Sequence, residues 1–383
     1  MNWHKRATGA IALVAALAVL PTGAGAQDPP PAADKASPLA EAPTEVVLTL
    51  QDALALAEAH NPGLRLAQYQ LVNARSAMAT APANAEALSS AASLYAQAQF
   101  GVTLPENAIS PQVALLQAQV EYEQAVVQYF QARQQVRLGA LQAYVEWQRS
   151  RALVNAQQSG LERAMEQEKH VQAALDAGMV ARFDLLQVQA QVTGQQAALS
   201  GAAAMERSTR SALEQVIGRP LAATVVPDGD LIRSEEVALE QNVEVLTRRA
   251  LTNRPDLRES TLDLVFSRLQ ASLVAGNPAA SLLQVQAAAG QYEMAAAKAR
   301  TEVQQALWSA TGTLGELKAR EAAVAPSQEA LRLAELRYEA GLATYLEVQS
   351  ALAASLQAEA ARIQAAANLT LSLAKLAQAT GEL

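Results

Sequence analysis

Two acids recur at one spacing from a glycine. Asp184 lies six residues after Gly178 in LDAGMVARFDLL (175–186), and Glu347 lies six residues after Gly341 in YEAGLATYLEV (338–348). A carboxylate just after a turn can complement the dipole of the helix that begins there, or can be a plain solvated surface acid. Other groups capable of chemistry stand alone. His60 sits beside Asn61-Pro62 and His170 stands near Glu166 and Glu168, but neither has a second histidine nearby and cysteine is absent. The pattern therefore argues against a metal site, and no other cofactor is expected. No nucleophile–base arrangement, phosphate loop or isolated carboxylate pair stands out, so the chain reads as a non-enzyme. Tyr122, Tyr129, Phe130, Tyr144 and Trp147 fall along a helical repeat and read as packing residues rather than a ligand platform.

The elements that would carry these residues are long helices. The 383 residues are 51% hydrophobic but only 4% aromatic, with alanine supplying much of the apolar count, which suits closely packed helices better than a core built on aromatics. Residues 1–26 read as an export signal: His4, Lys5 and Arg6 precede an apolar run from Ala7 to Leu20 and a small-x-small cleavage site at Ala24-Gly25-Ala26. Loss of Lys5 and Arg6 takes the net charge from -8 to -10, spread over helical faces, which disfavours a nucleic-acid partner. No later stretch has the roughly 18 uninterrupted apolar residues of a transmembrane helix. The absence of cysteine also excludes lipid attachment to an N-terminal cysteine. Residues 27–43, rich in Pro and Ala, read as a flexible tether.

Folding is expected to begin near Thr49 and to run in two repeats, 44–217 and 241–383, joined by a linker at 218–240. Each repeat has a short opening helix that ends in related text, AHNPGLRLA (59–67) and TNRPDLRES (252–260), where Pro62-x-Leu64-Arg65 matches Pro255-x-Leu257-Arg258. Proline suits the first turn of a helix, so each copy marks the start of a new one; Arg65 and Arg258 read as surface residues. A long helix then runs to the glycine break and a return helix runs back, about 111–176 and 183–217 in the first repeat, 282–339 and 345–379 in the second. Leu115, Tyr122, Tyr129, Val136 and Ala143 recur every seven residues, and Ala118, Ala125, Ala132 and Gly139 follow three residues after the first four. That is an a/d seam with one position always small. At about 1.5 Å per residue such a helix is on the order of 100 Å long and must be stabilised by a neighbour, so each repeat is expected to be a long antiparallel hairpin. The fold class is all-α, with little or no β-structure.

With LTLQDALALAEAHNPGLRLA at the start, NRPDLR opening the second repeat, and the breaks AGMVARFDLLQVQAQ and YEAGLATYLEVQSALAASLQ in matching order, nearly the whole mature chain resembles the TolC-type outer-membrane efflux family. The resemblance implies a homotrimer whose helical hairpins form a duct through the periplasm, associated with the outer membrane, with hairpin tips that meet an adaptor protein and an inner-membrane pump. Carried over by position, the tips are Gly178, Met179, Val180 and Ala181 in one hairpin and Gly341, Leu342, Ala343 and Thr344 in the other. Glu347 falls where the family often places an acid at the narrow end of the duct, and Asp184 where it could make a polar link between hairpins. Ala343 and Ser350 stand where some members carry charged residues that lock the constriction.

One departure concerns the β-barrel. Each barrel strand needs about 9–11 residues. YAQAQFGVTL (95–104) alternates acceptably, whereas VAGNPAASLLQVQAAAG (274–290) has room for one weak strand at most, so the barrel is expected to be reduced or missing. Two functional readings follow: an exported duct component of an envelope efflux or secretion system, or a barrel-less coiled-coil scaffold of the envelope with no transport path. A lipid-surface binder is disfavoured because basic residues do not line the apolar faces.

Overall fold

The computed structural model describes residues 46–100, 111–178, 180–228, 232–273 and 278–383. A short strand β1 (Val46–Leu48) leads into α1 (Leu50–His60), α2 (Pro62–Phe100), α3 (Pro111–Asp176) and α4 (Arg182–Ile217). Strand β2 (Val225–Pro227) and a 3-10 turn (Ser234–Glu236) then lead to α5 (Val243–Asn253), α6 (Pro255–Leu273), α7 (Pro278–Glu339) and α8 (Tyr345–Ala379). The helical expectation holds with its internal duplication: α3 and α7, of 66 and 62 residues, each turn back into helices of 36 and 35 residues.

Local chemistry sets the helix starts. Thr49 caps α1, accepting the Asp52 N–H at 3.2 Å, while the Asp52 carboxylate accepts the Thr49 N–H at 3.4 Å, so both halves of a capping box are present. Pro62 and Pro255 open α2 and α6. There the missing N–H is one that no helix could satisfy.

Because α3 is about twice as long as α4, its lower part pairs with α4 and its upper part with α2; α7 pairs in the same way with α8 and α6. The small seam positions Ala118 and Ala125 are buried as expected, but Leu115 is 41% exposed and the core moves one position along, to Ala140, Tyr144 and Trp147. A straight helix of 3.6 residues per turn drifts relative to a strict seven-residue repeat, so the buried face rotates along a helix of this length.

The return helices end against the proline turns in the same way in both repeats. Gly218 follows α4 with φ 84°, and Gly381 follows α8 with φ 73°. A Cβ on Gly218 would lie 2.9 Å from the His60 carbonyl oxygen, and one on Gly381 would lie 2.8 Å from the Asn253 carbonyl carbon. Backbone meets backbone at both places, so only glycine fits. The residue before each proline holds the arriving helix: Asn61 Nδ2 donates to the Val216 carbonyl at 2.7 Å, and Arg254 Nη1 to the Ala379 carbonyl at 3.4 Å. Arg254 also grips Asp256 at 2.7 and 3.0 Å and Glu302 on α7. Burial would raise the Asp256 carboxyl, but the hydrogen bonds and charge of Arg254 outweigh it and hold it below its ordinary value.

Matching clusters sit beside these locks. Ala53 and Ala57 of α1 pack on Ala140, Tyr144 and Trp147 of α3 with Leu213 of α4. Leu246 and Ala250 of α5 pack on Val303, Leu307 and Ala310 of α7 with Leu376 of α8. Two hydroxyl pairs repeat too, the buried Ser150 with Thr209 and the half-buried Thr313 with Ser372, both at 2.7 Å.

The described residues between the repeats, 218–228 and 232–240, lie against the helices as a strap. β2 pairs in parallel with β1, Val46 opposite Val225 and Leu48 opposite Pro227. The Tyr144 hydroxyl donates to the Leu48 carbonyl at 2.8 Å and accepts the Asp228 N–H at 3.1 Å, which ties this small sheet to α3. Burial pushes that hydroxyl up to about 12. Further along, the Ser234 N–H donates to the Glu321 carboxylate of α7 at 3.2 Å, and its hydroxyl donates to the same carboxylate.

The segments considered for barrel strands are helical where described: residues 95–100 lie in α2 and 278–290 in α7. Alanine and glutamine at alternating places satisfy a two-residue period as readily as a helical one, which is why alternation misleads there. Residues 101–104 and 274–277 lie outside the described residues, as do the expected signal and tether at 1–43. The intervals between the paired helices, 101–110 and 274–277, are shorter than the roughly 20 residues that two membrane-crossing strands require. Among the described residues, no helix is long and apolar enough to cross a membrane.

Candidate functional site at the hairpin tips

Both hairpins reverse at a glycine with a left-handed backbone, Gly178 at φ 75° and Gly341 at φ 71°. At the second tip the Gly341 N–H donates to the Tyr338 carbonyl at 2.9 Å and the Leu342 N–H to the Arg337 carbonyl at 2.8 Å, the paired bonds of a Schellman motif. At the first, the Gly178 N–H donates to the Leu175 carbonyl at 2.9 Å. A Cβ on either glycine would meet nothing within 4 Å, so backbone conformation alone demands glycine here.

The acids six residues on are engaged by the turns themselves. The Asp184 carboxylate accepts the Ala181 N–H at 3.1 Å, and the Glu347 carboxylate accepts the Thr344 N–H and hydroxyl, each at 3.4 Å. Each is thus the carboxylate arm of a cap on the return helix; Ala181 has no side-chain acceptor to return the bond. Arg337 approaches Glu347 at 3.7 Å on the open surface.

Tyr345, the first residue of α8, joins the tips. It is buried among Val171, Leu185 and Val188 of the first hairpin, with Leu175, Val180 and Tyr338 around it. Its ring stands edge-on to Tyr338 with centroids 6.0 Å apart, and burial pushes its hydroxyl up to about 12. Among the described residues the buried Tyr338 hydroxyl has no hydrogen-bond partner, and burial, then the nearby charge of Asp184, raises its pKa. Among the described residues of this chain Asp184 makes no direct bond to the other hairpin, and an amide pair two turns higher links the two, Gln349 Nε2 to Gln191 Oε1 at 2.5 Å. Above the tips Glu335 faces Arg163, Glu339 and Glu166. Burial first, then the two glutamates, raises its pKa, with Arg163 opposing.

The residues named from the sequence divide accordingly. Gly178, Val180, Ala181, Gly341, Leu342, Ala343 and Thr344 lie together at one end of the molecule, while Met179 lies outside the described residues. Tyr345 was missed, although an aromatic residue directly after a glycine turn in so aromatic-poor a chain is a usable signal. Large apolar side chains flank both turns in the open: Phe183 is 66% exposed and Leu342 71%, with Leu186 and Leu346 more than half exposed. Tyr144 and Trp147 are core, as expected; Trp147 is fully buried and donates to Glu206 at 2.7 Å. Arg258 reaches Glu123 on α3 at 3.1 Å, and His60 bonds its own helix at the Leu56 carbonyl.

Residues 274–382 match the family described as outer membrane efflux protein. No curated protein matches the sequence. Among solved structures, the outer membrane protein VceC from Vibrio cholerae superposes with a TM-score of 0.60 at 16% identity, covering 87% of this chain and 96% of that one. The CmeC outer membrane channel of Campylobacter jejuni gives 0.64 at 14% identity over 92% and 93%, and the open state of the Neisseria gonorrhoeae MtrE outer membrane channel gives 0.63 at 18% over 87% and 88%.

Proposed function

We propose, for a chain whose second repeat carries the outer membrane efflux protein signature and whose fold is that of solved TolC-type channels, that it is the helical duct component of an envelope efflux or secretion system. Three copies would close their hairpins into a ring in the periplasm, associated with the outer membrane, with both tips pointing the same way toward an adaptor and an inner-membrane pump. The observation that carries this reading is the tip itself. Tyr345 fastens the two hairpin ends into one unit, and that unit presents Phe183, Leu186, Leu342 and Leu346 to solvent. Exposed leucines and phenylalanine around a rigid turn suit a docking surface for another helical hairpin. Glu347 would stand near the duct opening while it caps α8.

Electron microscopy of the purified mature protein, with and without detergent, tests the assembly. Rings with an open lumen support the duct, whereas monomers or dimers under all conditions would favour a coiled-coil scaffold. At the tips, Leu342→Asp should abolish pull-down of the co-expressed adaptor with helicity unchanged. An unaltered pull-down would remove the tips from the docking role.

A further inference from the structure

The helices follow one order across the molecule. Toward the tips α3 lies against α4 and α8, and α8 against α7; nearer the proline turns α3 lies against α2 and α6, and α6 against α7. The two repeats therefore meet along one seam, α3 of the first on α8 and α6 of the second. Their outer edges are α4 with α2 on one side and α7 on the other, and among the described residues no comparable packing joins α7 to α4 or α2. These edges are the repeat equivalents of the seam itself. α7 corresponds to α3 and α8 to α4 at an interval of 163 residues, as Gly341 does to Gly178, and α6 corresponds to α2 at an interval of 193, as Pro255 does to Pro62.

Three contacts of the seam show what stands at the equivalent places on the edges. Val145 of α3 is buried in a cluster with Ala367 of α8, and Leu371 packs against it. Their equivalents are Trp308 on α7 and Ala204 and Ser208 on α4, all exposed, Trp308 by 63%. A larger side chain on one edge thus faces the place of a smaller one on the other. Arg149 Nη1 meets Gln364 Oε1 at 2.6 Å, and the equivalents of this pair are two glycines, Gly312 and Gly201. A Cβ on either would meet nothing within 4 Å, although glycine weakens a helix interior relative to alanine. Gln131 Nε2 donates to the Glu259 carboxylate at 3.3 Å, and the equivalents of this pair are Met294 and Leu66, both exposed.

We propose that a second copy of this chain covers these edges, α7 of one copy lying on α4 and α2 of the next in the register that α3 has on α8 and α6. Trp308 then lies over Ala204 and Ser208, Gly312 beside Gly201, and Met294 against Leu66. Polar pairs of the internal seam give way to apolar and small residues, which suits a contact between separate molecules. Burial of apolar area drives such a contact, and an exposed tryptophan has a large area to bury. Two different faces meet, so each copy keeps one edge of each kind, and the array closes into a ring when the rotation per copy divides a full turn. This rests on the ring reading above and names the surfaces that form the ring.

The chain has no cysteine, so an engineered pair reports the seam without background. The full mature protein carrying both Gly201→Cys and Gly312→Cys, treated with a short bis-maleimide, is expected to run as linked multimers on a denaturing gel. Either single variant is expected to stay monomeric there, because each edge carries only one half of the contact. Trp308→Gln should weaken self-association about thirty-fold or more in sedimentation, the loss of a buried aromatic anchor. Helicity and urea unfolding of its dissociated chain should match the parent's, since Trp308 is exposed within one copy. Linked multimers that form no rings under the electron microscope would support this seam and remove the closed duct. Rings whose double variant does not link, linkage by a single variant alone, or undiminished association of Trp308→Gln would overturn the seam and leave the duct standing.

Discussion

Among the described residues four glycines adopt left-handed backbone, and they separate into two classes that substitution can tell apart. At Gly178 and Gly341 nothing surrounds the missing Cβ, so Gly→Ala should cost only the left-handed strain of an L-residue, about 1–2 kcal/mol. At Gly218 and Gly381 the same strain applies, and the new Cβ also comes within 2.9 and 2.8 Å of the backbone of the proline turns. Backbone cannot rotate away as a side chain can, so a further ~1–3 kcal/mol of overpacking is expected, for a total of about 2–5 kcal/mol. Asparagine sharpens the contrast. It tolerates the left-handed region, so Gly178→Asn and Gly341→Asn should recover most of the alanine loss, whereas Gly218→Asn and Gly381→Asn should not, because asparagine also carries a Cβ. Urea unfolding followed by helical circular dichroism measures this, with proteolysis at the tips reporting local opening. If asparagine rescues all four sites equally, the close approach of return helix and proline turn does not constrain the fold, and the reasoning fails.

Arg254→Met should cost about 2–3 kcal/mol, less than the ~3–5 kcal/mol for breaking a fully buried pair, because Arg254 is only 11% exposed but Asp256 and Glu302 are partly open to water. Since Arg254 lowers the Asp256 pKa, this stabilisation is present above the ordinary carboxylate range and lost as pH falls through the depressed value; thermal melts of the variant should lack that acid-side loss. Glu335→Gln should act with the opposite sign. The Glu335 pKa is raised, so its cost is absent below the ordinary carboxylate range and grows as pH rises through the raised value, and the variant should melt higher than the parent at neutral pH with no difference in acid. Tyr338→Phe removes a buried hydroxyl that has no partner among the described residues and should be neutral or stabilising by up to about 1 kcal/mol in the same melts. Glu347→Gln keeps an acceptor for the Thr344 N–H but removes the charge, so hydrogen exchange at the start of α8 should stay near the parent's, whereas Glu347→Ala should quicken it.

Much of the architecture could be read because it rests on local signals. Thr49 with Asp52, the two prolines, and the glycines at 178 and 341 each act within a few residues of themselves, and the observed helix ends fall at or within a few residues of the expected ones. What escaped the sequence reading depends on contacts between distant residues. Nothing local marks Arg254 as the clamp between α6, α7 and α8, since its partner Glu302 lies a whole helix away. Gly218 reads as an ordinary linker residue until the His60 carbonyl is seen against it. The strands β1 and β2 are three residues each, too short for a periodic signal, and their pairing brings together residues on opposite sides of four helices. Tyr345 illustrates a third case: its position was visible, but its burial requires the first hairpin to lie alongside.

The duplication bears on which features are scaffold and which are specific to the tips. Ser150, Thr209, Gly178 and Gly218 recur 163 residues later as Thr313, Ser372, Gly341 and Gly381, so the hydroxyl pair, the turn and the lock are one device used twice. Asp184 and Glu347 are separated by the same interval and make the same bond to the start of their helices. A property shared by both copies needs no explanation beyond the fold, and capping accounts for both acids. What is not shared is the aromatic residue: Tyr345 corresponds to Arg182, which is exposed, so one tip inserts a ring and the other receives it. The two hairpin ends are therefore fixed in one register by an asymmetric contact between otherwise equivalent turns, and the exposed side chains around them, Phe183 and Leu186 on one and Leu342 and Leu346 on the other, are presented as a single apolar surface rather than two independent loops.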